Sequence, residues 1–172
     1  VDDRPFGGGP GMVLRCQPVI DAIKSVKRLS PKAKVILLCP GGKVLNQSLC
    51  GSIAKSKSLI LLCGHYEGVD ERIKDFVDAE ISIGDYILTG GELPAMVLID
   101  SVIRLLPGVL GDKDSNLEES FSGGVLEYPQ YTRPADYNGK KVPEVLVSGN
   151  HNLVKLWRRR ESISKTMHQR PE

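Results

Sequence analysis

A chain of 172 residues, 41% hydrophobic and 26% charged, is long enough to bury one core without disulfide or metal staples. Its net charge of +2 divides unevenly: residues 1–125 hold 14 Lys and Arg against 16 Asp and Glu, whereas residues 126–172 hold 9 against 5, which charge alone reads equally as a ligand-binding front with a basic tail that touches a polyanion or as ordinary solvation. The longest apolar runs, 35–39, 59–63 and 95–99, have five residues each, where a bilayer span needs about 20, so a membrane span is excluded.

Residues 1–12, VDDRPFGGGPGM, read as a Gly/Pro-rich loop opened by two acids and an arginine. Apolar residues at Val13, Leu14, Val19, Ile20, Ile23 and Val26 then recur at helical spacing. Residues 34–39 are a β-branched, apolar strand stopped by Pro40-Gly41-Gly42, and residues 47–55 a short helix. A second strand covers 58–63 and stops at Gly64. A short helix at 70–76, a strand at 80–83, a glycine-rich loop at 84–91 and a strong helix from 92 to 106 follow, the last ended by Pro107-Gly108. Strands that are apolar throughout belong in a parallel sheet covered by helices on both faces, so the expected class is α/β.

Residues 111–125, polar, acidic and rich in Gly and Ser, read as an interdomain linker. The domain before it is 1–110. Residues 126–172 form a small basic domain with one convincing helix at 152–167, which places Leu153, Val154 and Trp157 on one face while Arg158, Arg159 and Arg160 fan around the rest. Cys16, Cys39, Cys50 and Cys63 form no CxxC, and His65, His151 and His168 add no zinc spacing. Buried thiols in a reducing cytoplasm, with no metal site, are the expectation. No basic-then-apolar leader opens the chain, and its limits at Val1 and Glu172 read as those of a fragment missing both ends.

Three strand ends terminate in glycine, at Pro40-Gly41-Gly42, at Gly64 and in the 84–91 loop. In a parallel α/β sheet, ligands collect beyond the carboxyl ends of strands, where glycine lets backbone come close. The loops match neither the P-loop nor the GxGxxG code. A phosphate-poor ligand held by backbone groups, such as a nucleoside, therefore fits better than ATP or NAD.

Five strings carry a resemblance: DDRPFGGGPGM (2–12), LCGHYEGVDERI (62–73), SIGDYILTGGELPAMVLIDSVIRLLPGVLG (82–111), YPQYTRP (128–134) and VLVSGNH (145–151). With these the chain resembles the bacterial tRNA (guanine-N1)-methyltransferases from its first residue to its last. The resemblance implies the SPOUT fold, with a trefoil knot in the C-terminal part of the α/β domain, a bent S-adenosyl-L-methionine as methyl donor, a homodimer, and a tRNA anticodon stem-loop as substrate. The methylated base would be guanosine-37, favoured when a guanosine precedes it. A use of Mg²⁺ is implied as well, although no carboxylate cage in the sequence predicts it.

Carried over by motif, the resemblance places the methyl donor's adenosine on Leu37, Leu38, Pro40, Gly64, Glu67, Ile83, Gly84, Tyr86, Leu88, Gly90 and Gly91, with Tyr frequent in the family at Leu37. It makes Glu119, where the family usually has Asp before Ser-Phe, the base that takes the proton from guanine N1. Arg104 would contact the guanine and stabilise charge as that proton leaves. The loop of Asp2, Asp3 and Arg4 would lie near the target nucleoside; read from residues alone, the same three side chains are a structural ion pair fixing a glycine turn. Lys155, Arg158, Arg159, Arg160, Lys165 and Arg170 would contact phosphates, and the linker would order over bound tRNA as a lid. The competing readings are a catalytically inactive RNA-binding protein that keeps the pocket, and a related enzyme acting on ribose or ribosomal RNA.

Overall fold

A computed structural model describes residues 1–110 and 119–171, in two compact units, Val1–Leu110 and Gly111–Glu172. Most of the expected linker, residues 111–118, lies outside the described residues.

In the first unit, β1 (Asp2–Asp3) pairs antiparallel with β2 (Val13–Leu14), and α1 follows over Cys16–Leu29. Val13 and Leu14 therefore do not begin the helix, as their spacing predicts. Their backbone is already used: Leu14 N–H donates to the Gly68 carbonyl at 3.0 Å, and the Leu14 carbonyl accepts from Asp70 N–H at 2.9 Å. Chain pairing across 54 residues of sequence separation outranks local periodicity here, and α1 starts only once Arg15 has turned away.

The main sheet has three parallel strands in the order β4-β3-β5, formed by β3 (Lys34–Val44), β4 (Leu59–Cys63) and β5 (Ala79–Ser82). Between β3 and β4 lies α2 (Gln47–Ile53), capped by Asn46, whose side chain accepts from Leu49 N–H at 2.9 Å. A 3₁₀ helix, Glu71–Phe76, precedes β5 and α3 (Glu92–Ile103) follows it. The alternation of β3 sends its side chains to two cores. Val35 joins Val19, Ile23 and Ile73 under α1 and the 3₁₀ helix. Ile36 and Leu38 join Cys50, Ile53, Ile81, Ala95, Leu98 and Val102 under α2 and α3. Helices thus cover both faces, as all-apolar strands require.

Pro40-Gly41-Gly42 does not stop β3. Leu38 and Lys43 both sit opposite Ile81 of β5, so residues 39–42 leave the ladder and the strand rejoins it at the same partner. Proline is tolerated in a sheet at such an irregularity because it has no N–H to lose. Gly42 is required there: a Cβ would fall on the backbone of Glu80 and Ile81.

The second unit is held on α5 (His151–Gln169), longer than the sequence suggests and capped by Asn150, which accepts from Leu153 N–H at 3.2 Å. A two-stranded hairpin, β6 (Asp136–Tyr137) with β7 (Lys140–Lys141), and the single turn of α4 (Glu144–Val147) precede it. Leu126 N–H donates to Thr166 Oγ1 at 2.8 Å, and Lys165 Nζ donates to the Glu127 carbonyl at 3.1 Å, which fastens the segment after residue 125 along the helix. Val154 and Trp157 are half-buried, but Leu153 is 50% exposed, so it does not share their face: the packed side of α5 centres on Ser162. Among the described residues no helix is long and apolar enough to cross a membrane.

Candidate active site

A cavity of about 380 Å³ opens beyond the carboxyl ends of the three parallel strands. The middle of β3, where it leaves the ladder, supplies Leu37, Leu38 and Pro40; the residue after β5 is Ile83; the turn after β4 supplies Gly64 and Glu67; the loop into α3 supplies Gly84, Tyr86, Leu88, Gly90 and Gly91. All eleven positions named above for the methyl donor therefore line one cavity. Cys39, His65, Tyr66, Ser82, Thr89 and Pro94 line it too. The motifs did not single these out, although all but Pro94 adjoin a position they did.

Short local bonds fix the walls. Gly91 N–H donates to the Gly64 carbonyl at 2.8 Å, and a Cβ on Gly91 would lie 2.6 Å from Cys63 Cα and 2.8 Å from Gly64 N, so only glycine lets α3 start against the end of β4. Ser82 Oγ donates to the Gly84 carbonyl at 3.1 Å and accepts Gly84 N–H at 3.2 Å, which sets the turn out of β5. Tyr86 Oη donates to the Ile83 carbonyl at 3.2 Å, folding its ring back on that turn. On the opposite side Glu67 N–H donates to the Met12 carbonyl at 3.0 Å, which ties the glycine loop to the cavity wall. Tyr66, just before it, holds φ 58, a left-handed conformation unusual for a tyrosine.

Apolar side chains and backbone dominate the lining, and Glu67 brings a carboxylate. Burial pushes the Cys39 thiol up, helped by the Glu80 carboxylate, to which it donates a hydrogen bond at 3.3 Å. Burial also raises Cys63, with Glu92 adding to it. Both thiols stay protonated near neutrality, so neither suits nucleophilic chemistry. The four cysteines are free, and no group of three or more His, Cys, Asp or Glu among the described residues could hold a metal ion.

The charged cluster after Glu67 is structural. Arg72 grips Asp70 through Nε at 2.9 Å and Nη2 at 2.7 Å, while Arg72 N–H caps the same carboxylate at 3.0 Å. Those bonds hold the Asp70 carboxyl well below its usual range. Lys74 lies 2.9 Å from Glu71 and 3.2 Å from Glu80. At the chain start, Asp2 and Asp3 form β1, and the Asp3 carboxylate accepts Arg4 N–H at 2.8 Å.

Arg104 caps the end of α3, its N–H donating to the Asp100 carbonyl at 3.3 Å, and is not among the cavity's lining residues. Glu119 belongs to the second unit, where it lines a separate groove of about 590 Å³ together with Gly123, Tyr128, His151, Lys155, Arg158 and Arg159.

A parallel sheet covered on both faces, with a glycine-walled cavity at one end, defines an α/β protein with a candidate ligand site. The chain matches, over residues 1–172, the family described as tRNA (Guanine-1)-methyltransferase TrmD. It is 60% identical over 174 residues to a tRNA (guanine-N(1)-)-methyltransferase of Ruminiclostridium cellulolyticum, covering 100% of this chain and 75% of that protein. Proteins of the same name from Geobacillus kaustophilus and Dictyoglomus turgidum are 58% and 55% identical across the whole chain, which covers 71% and 69% of them. This chain belongs to the tRNA (guanine-1)-methyltransferase family.

Proposed function

We propose that this protein moves a methyl group from S-adenosyl-L-methionine to N1 of guanosine-37 in tRNA. The observation that carries the reading is the convergence of the eleven methyl-donor positions on one cavity, in a chain 55–60% identical over its whole length to enzymes of that name. The competing reading of an inactive RNA-binding protein draws no support from those relatives.

The cavity's volume lies within the roughly 300–1,000 Å³ of small-molecule sites. Leu37, Leu38, Ile83 and Leu88 offer apolar surface to a purine, the glycine backbones offer amide and carbonyl groups, and the Glu67 carboxylate suits a cationic ligand. The residues present therefore fit the methyl donor. When bound, it supplies an electrophilic methyl on a positively charged sulfur, with a neutral thioether as leaving group.

Glu119 accepts the proton that guanine N1 carries at neutral pH, so that the N1 lone pair is free when the new N–C bond forms. Arg104 places its planar guanidinium against the guanine edge and offsets the negative charge that develops as the proton leaves. Residues 126–172 hold the tRNA. The reading carries with it the SPOUT trefoil knot, a cytoplasmic setting and a homodimer. Leu93, Met96, Val97, Ile99 and Ile103 of α3 are exposed in the single chain, an apolar face of the kind a second copy covers. Mg²⁺ is assigned no protein ligands.

The test is transfer of labelled methyl from S-adenosyl-L-methionine to tRNA transcripts with G or A at position 37. Incorporation into the G transcript alone, lost in Glu119→Ala and Arg104→Ala, is the expected result. Equal labelling of both transcripts would overturn the position and base assignment.

A further inference from the structure

The first unit is neutral only in sum. Residues 22–66 make up more than a quarter of the chain and hold none of its 21 Asp and Glu, yet eight Lys and Arg fall there. The fold gathers all of these but Lys43 at one place. Lys24, Lys27 and Arg28 share a stripe of α1 at steps of three and four. Lys32 lies in the turn to β3, Lys34 opens that strand, and Lys55 and Lys57 precede β4. The two turns are fastened side by side: Ser30 Oγ donates to Ser58 Oγ at 2.9 Å, and Lys34 N–H donates to the Ser58 carbonyl at 3.2 Å. The cations thus surround the amino ends of β3 and β4. The cavity lies toward the other end of the same strands, about 17 Å away along the length of β4.

Little charge offsets them. Lys27 lies 3.8 Å from Asp78, whose carboxylate also accepts Val35 N–H at 2.7 Å. Arg28, Lys32, Lys34, Lys55 and Lys57 are exposed, and none of them is ion-paired among the described residues. Like charges crowded in this way repel one another and disfavour the compact unit until a polyanion lies across them. The kind of polyanion follows from what the patch lacks. Residues 22–65 contain no Phe, Tyr or Trp, and the nearby Phe76 ring already faces Lys24, 6.0 Å from its ammonium. The bases of a single strand would find no free platform to stack on. The apolar side of α1, with Val19 and Ile23, is packed in the core, so the helix has no face to sink into a bilayer. Lysines spread over a helix end and two turns suit the regular phosphates of a double helix, held by shape and charge without base contacts.

We propose that the amino end of the sheet docks double-helical RNA, and that this RNA is a molecule other than the tRNA under methylation. A base to be methylated has to enter at the cavity, toward the opposite end of the sheet. A double helix stays straight over far more than the length of these strands, so the stem that delivers this base does not turn back round the unit to the lysines. Setting the docked RNA apart from the substrate rests on the methyl-donor reading of the cavity; the docking itself does not.

The probe is a fluorescent RNA duplex of about 20 base pairs with no loop, titrated with the full-length protein between about 50 and 200 mM salt. Wild type is compared with Lys32→Ala/Lys34→Ala/Lys55→Ala/Lys57→Ala and with the same four positions changed to Arg. Lys43→Ala is the control, an exposed lysine of the same acid-free run that sits opposite Ile81, away from the patch. The alanine variant should lose affinity about tenfold or more, and its plot of log K against log salt should flatten by about 3.6 for four duplex phosphates. Its unfolding midpoint in denaturant stays level or rises, since like charges are removed. The arginine variant and Lys43→Ala keep the wild-type slope, and saturating duplex leaves the wild-type KM for tRNA in methyl transfer unchanged. Four outcomes overturn the proposal: an unchanged slope in the alanine variant, an equal loss per charge in Lys43→Ala, competitive inhibition of tRNA methylation by the duplex, or binding of phosphatidylserine vesicles or polyglutamate in place of the duplex. The expected duplex binding with no methyl transfer by wild type leaves the docking surface standing and sinks the methyltransferase reading instead.

Discussion

The cavity of the first unit and the groove of the second are built by opposite means. The cavity is walled by apolar side chains and by backbone brought close through glycine, with Glu67 as its carboxylate. The groove is walled by long charged side chains projected from one helix. Backbone walls are rigid and fix shape, which suits one small molecule. Lysine and arginine on a helix face track charge rather than shape, which suits a long polymer whose contacts position it without reading its bases. Under the proposed function, one chain separates choice of a small ligand from grip on a large one.

The sharpest way to test that separation is Glu119→Gln. We expect methyl transfer to fall about 100- to 10,000-fold, the usual contribution of a general base, while equilibrium dialysis finds affinity for S-adenosyl-L-methionine unchanged. Reduced affinity for the methyl donor would break the division of labour between the units. Leu98→Ala opens the core under the sheet, where Leu98 is 1% exposed, and is expected to cost about 2–5 kcal/mol in denaturant unfolding. Gly91→Ala forces a Cβ against Cys63 and Gly64 and is expected to cost about 1–3 kcal/mol. Its affinity for the methyl donor should drop while RNA affinity stays the same, so calorimetry with each ligand sharpens the comparison from the other side.

Within the second unit, Asn150→Ala removes the cap of α5 and should destabilise it by about 1 kcal/mol, visible as a loss of helical circular dichroism on mild heating. The smallest effect concerns Asp70. Its carboxyl is held below its unfolded value by Arg72, so its contribution to stability is complete above about pH 4 and fades as pH falls through the folded value. The pair is exposed, so the effect is small. The melting difference between wild type and Asp70→Asn should be present at pH 7 and shrink below pH 4, and a constant difference across that range would contradict it.

Two strands of the sheet, β3 and β4, were legible because their apolar runs face both ways, and the cavity because glycine follows at Gly64 and in the 84–91 loop. The path of β3 was not: Pro40-Gly41-Gly42 has the composition of a stop, and only the partner strand decides that the chain returns to Ile81. Val13 and Leu14 misled for a related reason, since a two-residue strand has too few positions to show a period. Leu153 fell on the wrong side because apolar spacing marks every apolar face of a helix, whereas packing chooses one. The roles of Glu119 and Arg104 came from resemblance, for nothing in the chemistry of an acid in a polar stretch or an arginine after an apolar helix distinguishes either from a solvated charge.

The loop from β5 to α3 is stitched at both ends, through Ser82 and Gly84 on one side and through Gly91 and Gly64 on the other, with His65 bridged to Gly90 and Tyr86 bonded back to Ile83. Between those anchors runs the short arc of Ile87 and Leu88, 78% and 39% exposed. Adjustment of the cavity to what fills it is expected to be greatest there, and hydrogen exchange that speeds or slows on ligand addition should concentrate in that arc while its anchors exchange at the pace of the sheet.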